Sequence, residues 1–339
     1  ERIYESILRG RDGTEFRLVD IYGIDHGVYQ DNPGLQPTPG KALNLSIDSE
    51  LQALIEDLFR GKKGAAICMM PQSGEVLAFV SAPDYDLNSF AGPVPIELWE
   101  RWNIDPERPL LNRGIQGLYP PGSTFKLIGA TLAKEESIVD KNWTVNCNGV
   151  YHLGDRDFHC WNNAGHGIVN MDKAIFQSCN IYFYHLIQKL SFNNWKAMAE
   201  NFGFGATTGI DLLGEKGGLV PGKKYMNKKY GRYGWATGNL LTFIIGQGDI
   251  LVTPIQVAQM MSIIATRGNT KTPHLLVDSP SENIIVSLKS TTWDFLQQAT
   301  WNVVNHEDGT GKAAKVLGGE VHGKTGTAQN PHGENHSWF

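Results

Sequence analysis

Two hydrophobic periods mark out the elements of this chain. Leu51, Leu54, Ile55, Leu58 and Phe59 fall at i, i+3, i+4, i+7 and i+8 behind Asp48, a residue suited to an N-cap. That spacing predicts one amphipathic helix. Two short apolar runs follow, Ala65 to Met70 and Val76 to Val80, around Pro71-Gln72-Ser73-Gly74. They predict a hairpin whose turn is longer than two residues. A helix and a hairpin so close in sequence suggest an antiparallel sheet with a helix against it. A helix is expected after Pro120-Pro121-Gly122 and another after Cys179, through the apolar run from Ile181 to Ile187. A third is signalled by Thr253 as cap, Pro254 at the first helical position and Val257, Met260, Met261, Ile264 and Ala265 on one face, with Gly268 ending it. Residues 84–120 read as irregular.

Residues 1–42 read differently. Glu15 to Tyr22 has strand-like composition after the turn signal Arg11-Asp12-Gly13. Asp31-Asn32-Pro33-Gly34 and Pro37-Thr38-Pro39-Gly40 then supply breakers within ten residues. This predicts a linker closing a preceding domain, with the main domain over 43–339. Glu1 is no natural start, so more chain is expected before it.

Composition narrows the class. The 339 residues are 41% apolar, enough for a sizeable core. The net charge is −5 with no long basic run, which argues against a nucleic-acid surface. No apolar stretch reaches the roughly 18 residues of a membrane span. Four cysteines are too few for a disulfide-built scaffold of this length.

The strongest chemistry lies in Tyr119-Pro120-Pro121-Gly122-Ser123-Thr124-Phe125-Lys126. A turn that stops at a helix start places Ser123 in the first helical turn, with Lys126 on the same face at i+3. Phe125, Leu127, Ile128 and Leu132 surround Lys126 with apolar side chains. Desolvation and the positive helix end both disfavour its ammonium form. Such an amine can take a proton from a serine hydroxyl. By itself the pattern also fits a helix cap with a surface lysine.

Gly323-Lys324-Thr325-Gly326-Thr327, after Gly318-Gly319-Glu320-Val321-His322, reads as a strand containing a glycine. Gly326 would let another backbone approach. Lys324 and the threonine hydroxyls offer a cation and donors for a carboxylate. An edge strand blunted by lysine fits equally. Ser-x-Asn occurs at Ser178-Cys179-Asn180, Ser191-Phe192-Asn193 and Ser281-Glu282-Asn283. Ser281 sits in a polar loop beside Pro280, and Ser191 follows a helix end. Only Ser178 leads directly into an apolar helix, so it is chosen on context.

The order Ser-x-x-Lys, Ser-x-Asn, Lys-Thr-Gly resembles the penicillin-binding proteins and class A β-lactamases. Further stretches are similar to class B penicillin-binding proteins, above all the penicillin-binding protein 2 branch of the rod-elongation system. They are Leu111-Asn112-Arg113, Gly74-Glu75-Val76-Leu77-Ala78, Gly246-Gln247-Gly248 with Thr253-Pro254-Ile255-Gln256, and Gly323-Lys324-Thr325-Gly326-Thr327-Ala328-Gln329. The resemblance covers about residues 43–339, and 1–42 look like the end of the family's N-terminal pedestal domain. It implies an α+β penicillin-binding transpeptidase fold of the serine β-lactamase type, an antiparallel sheet flanked by helices with a helical subdomain.

The implied function is a peptidoglycan D,D-transpeptidase of cell-wall elongation, working on stem peptides and acylated by β-lactams. Carried over, Ser123 is the nucleophile, Lys126 its activator and Ser178 the proton relay. Asn180 holds the substrate amide. Lys324, Thr325, Gly326 and Thr327 receive the terminal carboxylate, and the backbone N–H groups of Ser123 and Thr327 form the oxyanion hole. The implied partners are a glycan polymerase of the shape, elongation, division and sporulation class and a periplasmic elongation scaffold. The implied location is the periplasmic side of an inner membrane, with the anchor outside this chain. The family also continues past Phe339 with further strands and a closing helix. Rival readings are a serine β-lactamase, for which the Glu-x-x-x-Asn water-activating loop is missing between Asn180 and Lys324, and a β-lactam sensor domain.

Cys147, Cys160, His166 and Cys179 form a Cys-x12-Cys-x5-His-x12-Cys set. Three thiolates and an imidazole suit a closed tetrahedral zinc site. The resemblance implies zinc at these positions, with thiolates where relatives use carboxylates. A Cys147–Cys160 disulfide and free thiols are the alternatives. Asp155, Asp157 and His159 are taken as solvated, and Cys68 as a strand residue.

Overall fold

The computed structural model describes residues 3–277, 279, 281–330 and 333–339. Glu1 and Pro280, both used in the sequence reading, lie outside the described residues. The fold is α+β, and every paired strand among the described residues runs antiparallel.

The predicted hairpin is present as Gly64–Met69 paired with Val76–Ala82, in register from Gly64 opposite Ala82. Val76, Ala78, Val80 and Ala82 are buried and the residues between them are not, the period of a sheet with one face inside. The Ser49–Leu58 helix lies against it, capped by Asp48, whose carboxylate accepts from the N–H groups of Glu50 and Leu51. Its apolar stripe is not buried, however: Leu54 and Leu58 remain exposed. The helix is fastened instead by Gln52, which exchanges hydrogen bonds with both backbone groups of Phe79.

Most of the core is helical. It gathers side chains from the Lys126–Glu135, Asn180–Ile187, Phe192–Asn201, Pro254–Ala265 and Ser290–Asn305 helices. Trp195 is wholly buried at its centre, edge-on to Phe125 and stacked on Phe192 and Phe243. A smaller cluster of Val76, Ile115, Ile210, Ile255 and Leu275 joins the hairpin to this helical body.

Four expectations need correction. Residues 84–120 are not irregular throughout, since Ile96–Ile104 and Arg113–Gln116 are helices. Trp102 is buried there against Phe90 and Tyr85, and this aromatic packing outweighs the flanking prolines. The N-terminal strand shrinks to Arg17–Val19, paired with Asp25–Val28. The strand expected around Lys324 covers only Gly326–Ala328, so Lys324 and Thr325 precede it.

The fourth concerns Thr253. Its hydroxyl has no hydrogen-bond partner, and the cap works in reverse: the buried Gln256 side chain accepts from the Thr253 N–H at 2.9 Å. The same side chain donates to the carbonyls of Ala206 at 2.7 Å and Gly217 at 2.8 Å. Gln256 thus ties a helix start to two passing loops. Gln256→Ala would leave one buried backbone group, the Thr253 N–H, without a partner at about 1–3 kcal/mol, and would free two part-buried carbonyls that water can reach. We expect a loss of about 2 kcal/mol, read as a lower urea midpoint in tryptophan fluorescence.

Candidate functional site

Gly122–Phe125 forms one tight 3-10 turn and Lys126 begins the helix proper. Ser123 is only half-buried, whereas Gly122 and every residue from Thr124 to Ala133 is buried. Gly122 makes this placement possible. Its φ is +56° and its N–H donates to the Gly246 carbonyl at 2.8 Å. A Cβ there would lie 2.7 Å from the Thr327 carbonyl oxygen, and one on Gly246 would lie 2.1 Å from the Gly122 oxygen. The two glycines let three backbones meet beside Ser123.

Ser178 arrives from another direction. The Met171–Phe176 helix ends with the Ser178 N–H donating to Ile175 and the Cys179 N–H to Ala174, the two bonds of a Schellman motif. The residue that must turn left-handed in that motif is usually glycine. Here it is Ser178, at φ +55°, a backbone cost of roughly 1–2 kcal/mol. The next helix begins at once with Asn180. The other two Ser-x-Asn sites are structural. Ser191 caps the helix that contains Asn193, and Ser281 bonds the Thr272 carbonyl.

These pieces converge. The Lys126 amine is fully buried and bonds the Ser178 carbonyl at 2.7 Å, the Ser178 hydroxyl at 3.2 Å and the Asn180 side-chain oxygen at 2.7 Å. Lys324, also buried, reaches the same Ser178 hydroxyl at 3.1 Å and the Thr325 carbonyl at 2.7 Å. No carboxylate among the described residues pairs with either lysine. Burial lowers Lys126 to about 8, against the opposing pull of the nearby cysteines. Burial first, and then the charge of Lys126, push Lys324 well below an ordinary lysine. No hydrogen bond joins Lys126 to Ser123, so the expected direct pairing is replaced by Ser178 and Asn180 as the resting partners. Thr327 is exposed on its strand.

The sequence reading missed Thr310. Its hydroxyl lies 2.6 Å from the Thr325 hydroxyl and 3.2 Å from the Phe176 carbonyl, two residues before Ser178. Its N–H also bonds Phe176. Thr310 therefore joins the Ser178 loop to the Lys324 segment and orients Thr325. Only a bare Gly309-Thr310-Gly311 turn stood in the sequence as its signal.

Cys147, Cys160, His166 and Cys179 place one ligand atom each within 4.8 Å of one another. His166 Nδ1 is 3.5 Å from both the Cys147 and Cys160 sulfurs. A tetrahedral site with Zn–S and Zn–N near 2.3 and 2.0 Å requires an N···S edge of roughly 3.5 Å, so the set fits zinc. None of the four cysteines is in a disulfide, so the Cys147–Cys160 bridge is not formed. Hydrogen bonding between Cys160 and Cys179 pulls Cys160 down and pushes Cys179 up. Asp157 pairs with exposed His152 and stays outside the cluster. Cys68 lies half-buried in its strand.

A half-buried serine at a helix start, two desolvated amines and a second serine shared between them suit acyl transfer. Residues 64–339 match the family described as the penicillin binding protein transpeptidase domain, and the chain belongs to that family. It is 35% identical to the peptidoglycan D,D-transpeptidase MrdA of Haemophilus influenzae over 97% of this chain and 52% of the relative. It is 31% identical to MrdA of Escherichia coli over 97% and 54%. The chain thus spans about half the length of the curated relatives it matches. Among solved structures, the complex of PBP2 with MreC from Helicobacter pylori superposes at TM-score 0.91 and 31% identity, covering 99% of this chain and 63% of that one. Pseudomonas aeruginosa PBP2 with WCK 5153 gives 0.82 and 35%, covering 90% and 71%.

Thr310→Val should unseat Thr325 without removing any lysine or serine. We expect about tenfold weaker β-lactam recognition in stopped-flow acylation, with the maximal acylation rate changed little. Thr310→Ser should restore it.

Proposed function

We propose that this chain is the catalytic part of a peptidoglycan D,D-transpeptidase of cell-wall elongation, working through an acyl-enzyme on Ser123. One observation carries the reading: two buried lysines converge on the Ser178 hydroxyl, and one of them, Lys126, stands one turn along from the half-buried Ser123. The names of the relatives support it.

Ser123 Oγ attacks the carbonyl between the two terminal D-alanines of a stem peptide while neutral Lys126 takes its proton. The amine first releases one of its three resting bonds. The backbone N–H groups of Ser123 and Thr327 hold the oxyanion, each such donor typically contributing ~3–4 kcal/mol. The proton passes from Lys126 through the Ser178 hydroxyl to the leaving D-alanine amine. Lys324, Thr325, Gly326 and Thr327 receive the terminal carboxylate. Asn180 aligns the substrate amide. An amine from a second stem then attacks the ester, forms the cross-link and frees Ser123.

Mass spectrometry after benzylpenicillin should find one long-lived adduct on Ser123 and none in Ser123→Ala. Rapid loss of the adduct would indicate a hydrolase instead, and acylation without peptide transfer to an amine acceptor a sensor. Lys126 must be unprotonated to act. The acylation rate should therefore rise with pH through about 8 and level above it. A flat profile from pH 6 to 10 would remove Lys126 from the role of base.

We read Cys147, Cys160, His166 and Cys179 as a structural zinc site. Bound there, zinc would hold the loop between Ser178 and Asn180 against the 145–169 region, with no open position for substrate. Elemental analysis should give one zinc per chain, and its removal by chelator should lower the melting temperature by several degrees. A metal-free protein with a Cys147–Cys160 disulfide would end this assignment.

We place residues 1–42 as the end of a pedestal domain and 43–339 as the transpeptidase domain. No described helix is long and apolar enough to cross a membrane. We assign the chain to the periplasmic side of an inner membrane, held by an anchor elsewhere in the protein. Related structures include PBP2 with MreC and a peptidoglycan synthase complex coordinating polymerization and crosslinking. A glycan polymerase and an elongation scaffold are accordingly the proposed partners.

A further inference from the structure

No acidic residue occurs between Glu215 and Asp249, in a chain whose net charge is −5. Within that stretch the Lys223–Tyr230 helix and the turn after it carry five cations in ten residues. Only Lys229 is paired, to Asp249 at 2.5 Å. Lys223, Lys224, Lys228 and Arg232 are exposed and have no acidic partner among the described residues. The helix is anchored by Met226, which is fully buried. Around the cations stand aromatic rings. Tyr233 is 90% exposed between Gly231 and Gly234, with the Arg232 guanidinium 5.7 Å from its ring centre. Tyr230 lies beside Lys229 and donates its hydroxyl to Asp249 at 2.7 Å.

The patch is tied to the candidate site. Asp249 follows Gly246-Gln247-Gly248, and the Gly246 carbonyl accepts the N–H of Gly122, next to Ser123. At ~3.8 Å per residue, this path puts Asp249, which pairs with Lys229 at the edge of the patch, within roughly 20 Å of Ser123. An extended five-residue peptide spans roughly 17 Å.

We propose that this surface is a docking site for the glycan strand whose stem peptide enters the active site, an inference that rests on the cross-linking reading above. Each uncross-linked stem ends in a free carboxylate, so such a strand is a regularly spaced polyanion. Its backbone is neutral sugar, whose C–H faces stack on exposed aromatic rings. Unpaired cations interleaved with open tyrosines match both features. A membrane surface fits less well, because the exposed side chains over residues 223–233 are lysine, arginine, asparagine and tyrosine, with no exposed leucine, isoleucine, valine or tryptophan among them to insert. The strand would lie along the patch while one stem reaches Ser123.

The test is titration of the full chain with soluble, uncross-linked glycan strands bearing pentapeptide stems. Polyglutamate and phosphatidylglycerol vesicles serve as comparison probes. Replacing Lys223, Lys224, Lys228 and Arg232 together by serine should weaken strand binding at least tenfold and flatten its salt dependence. Benzylpenicillin acylation of Ser123 should be unchanged, which also certifies the fold. Tyr233→Ala should weaken strand binding several-fold and leave polyglutamate binding alone. Equal strand affinity in the fourfold variant overturns the proposal, as does binding of polyglutamate or vesicles as tight as that of strands. Failure of acylation in both proteins would overturn the cross-linking reading, while the strand titration would still decide the surface.

Discussion

Two buried amines sharing one hydroxyl constrain everything else in this structure. Lys126 and Lys324 both bond Ser178, and neither has a carboxylate partner among the described residues. Two ammonium ions cannot share a dry site at close range, so at least one stays neutral near neutral pH. The lowering of Lys126 to about 8 corresponds to about 3 kcal/mol of disfavoured charge. A carboxylate in the pocket would relieve that penalty. The free site is therefore poised for a substrate that brings its own negative end, and the Lys126 amine loses its proton as the pH rises through about 8.

Backbone strain is placed where the chemistry needs it. Glycine at position 178 would make the easier helix stop, but it would supply no hydroxyl. The left-handed serine places a hydroxyl between the two lysines, where the proposed proton relay would need it. Gly122 and Gly246 do the opposite. They give up side chains so that the Ser123 turn, the Thr327 strand and the 246–248 loop can touch. Cys179, between Ser178 and Asn180, is fully buried in the thiol cluster, and the Asn180 N–H donates to the Cys160 sulfur at 3.4 Å. The loop is thus gripped on both sides of its strained residue.

Local signals in the sequence reached the hairpin, the Asp48 cap and the helices after Gly122 and Cys179, because each rests on contacts a few residues apart. The Ser290–Asn305 helix was equally legible, with Trp293, Leu296, Ala299, Val303 and Val304 buried at helical spacing, yet its polar flanks hid it. The Lys126 partners were not legible. A Ser-x-x-Lys pair suggests that the amine faces its own serine, whereas the observed acceptors lie 52 and 54 residues away. Thr310 was invisible for the same reason, since its two partners are 134 and 15 residues distant. Motifs named the side chains that converge, and only tertiary packing decided which of them touch.

That packing also explains why the site is built where it is. Acyl transfer tolerates little displacement of its groups, so the side chains concerned sit on regular elements or directly against them. Lys126 and Asn180 are first residues of helices, Ser123 lies in the turn leading into one, and Thr327 is in a strand. Lys324 and Thr325 are the exceptions, standing just outside a strand, and here the fold adds external supports. The Gly323 N–H bonds the Thr300 carbonyl, Asn305 holds the Val321 carbonyl, and Thr310 takes the Thr325 hydroxyl. Thr300 and Asn305 belong to the Ser290–Asn305 helix, which also contributes to the core that carries Lys126 and Asn180. The segment that would receive the substrate's carboxylate and the helices that would activate the nucleophile are therefore referred to one rigid body, so a substrate bound at one end is already in register at the other.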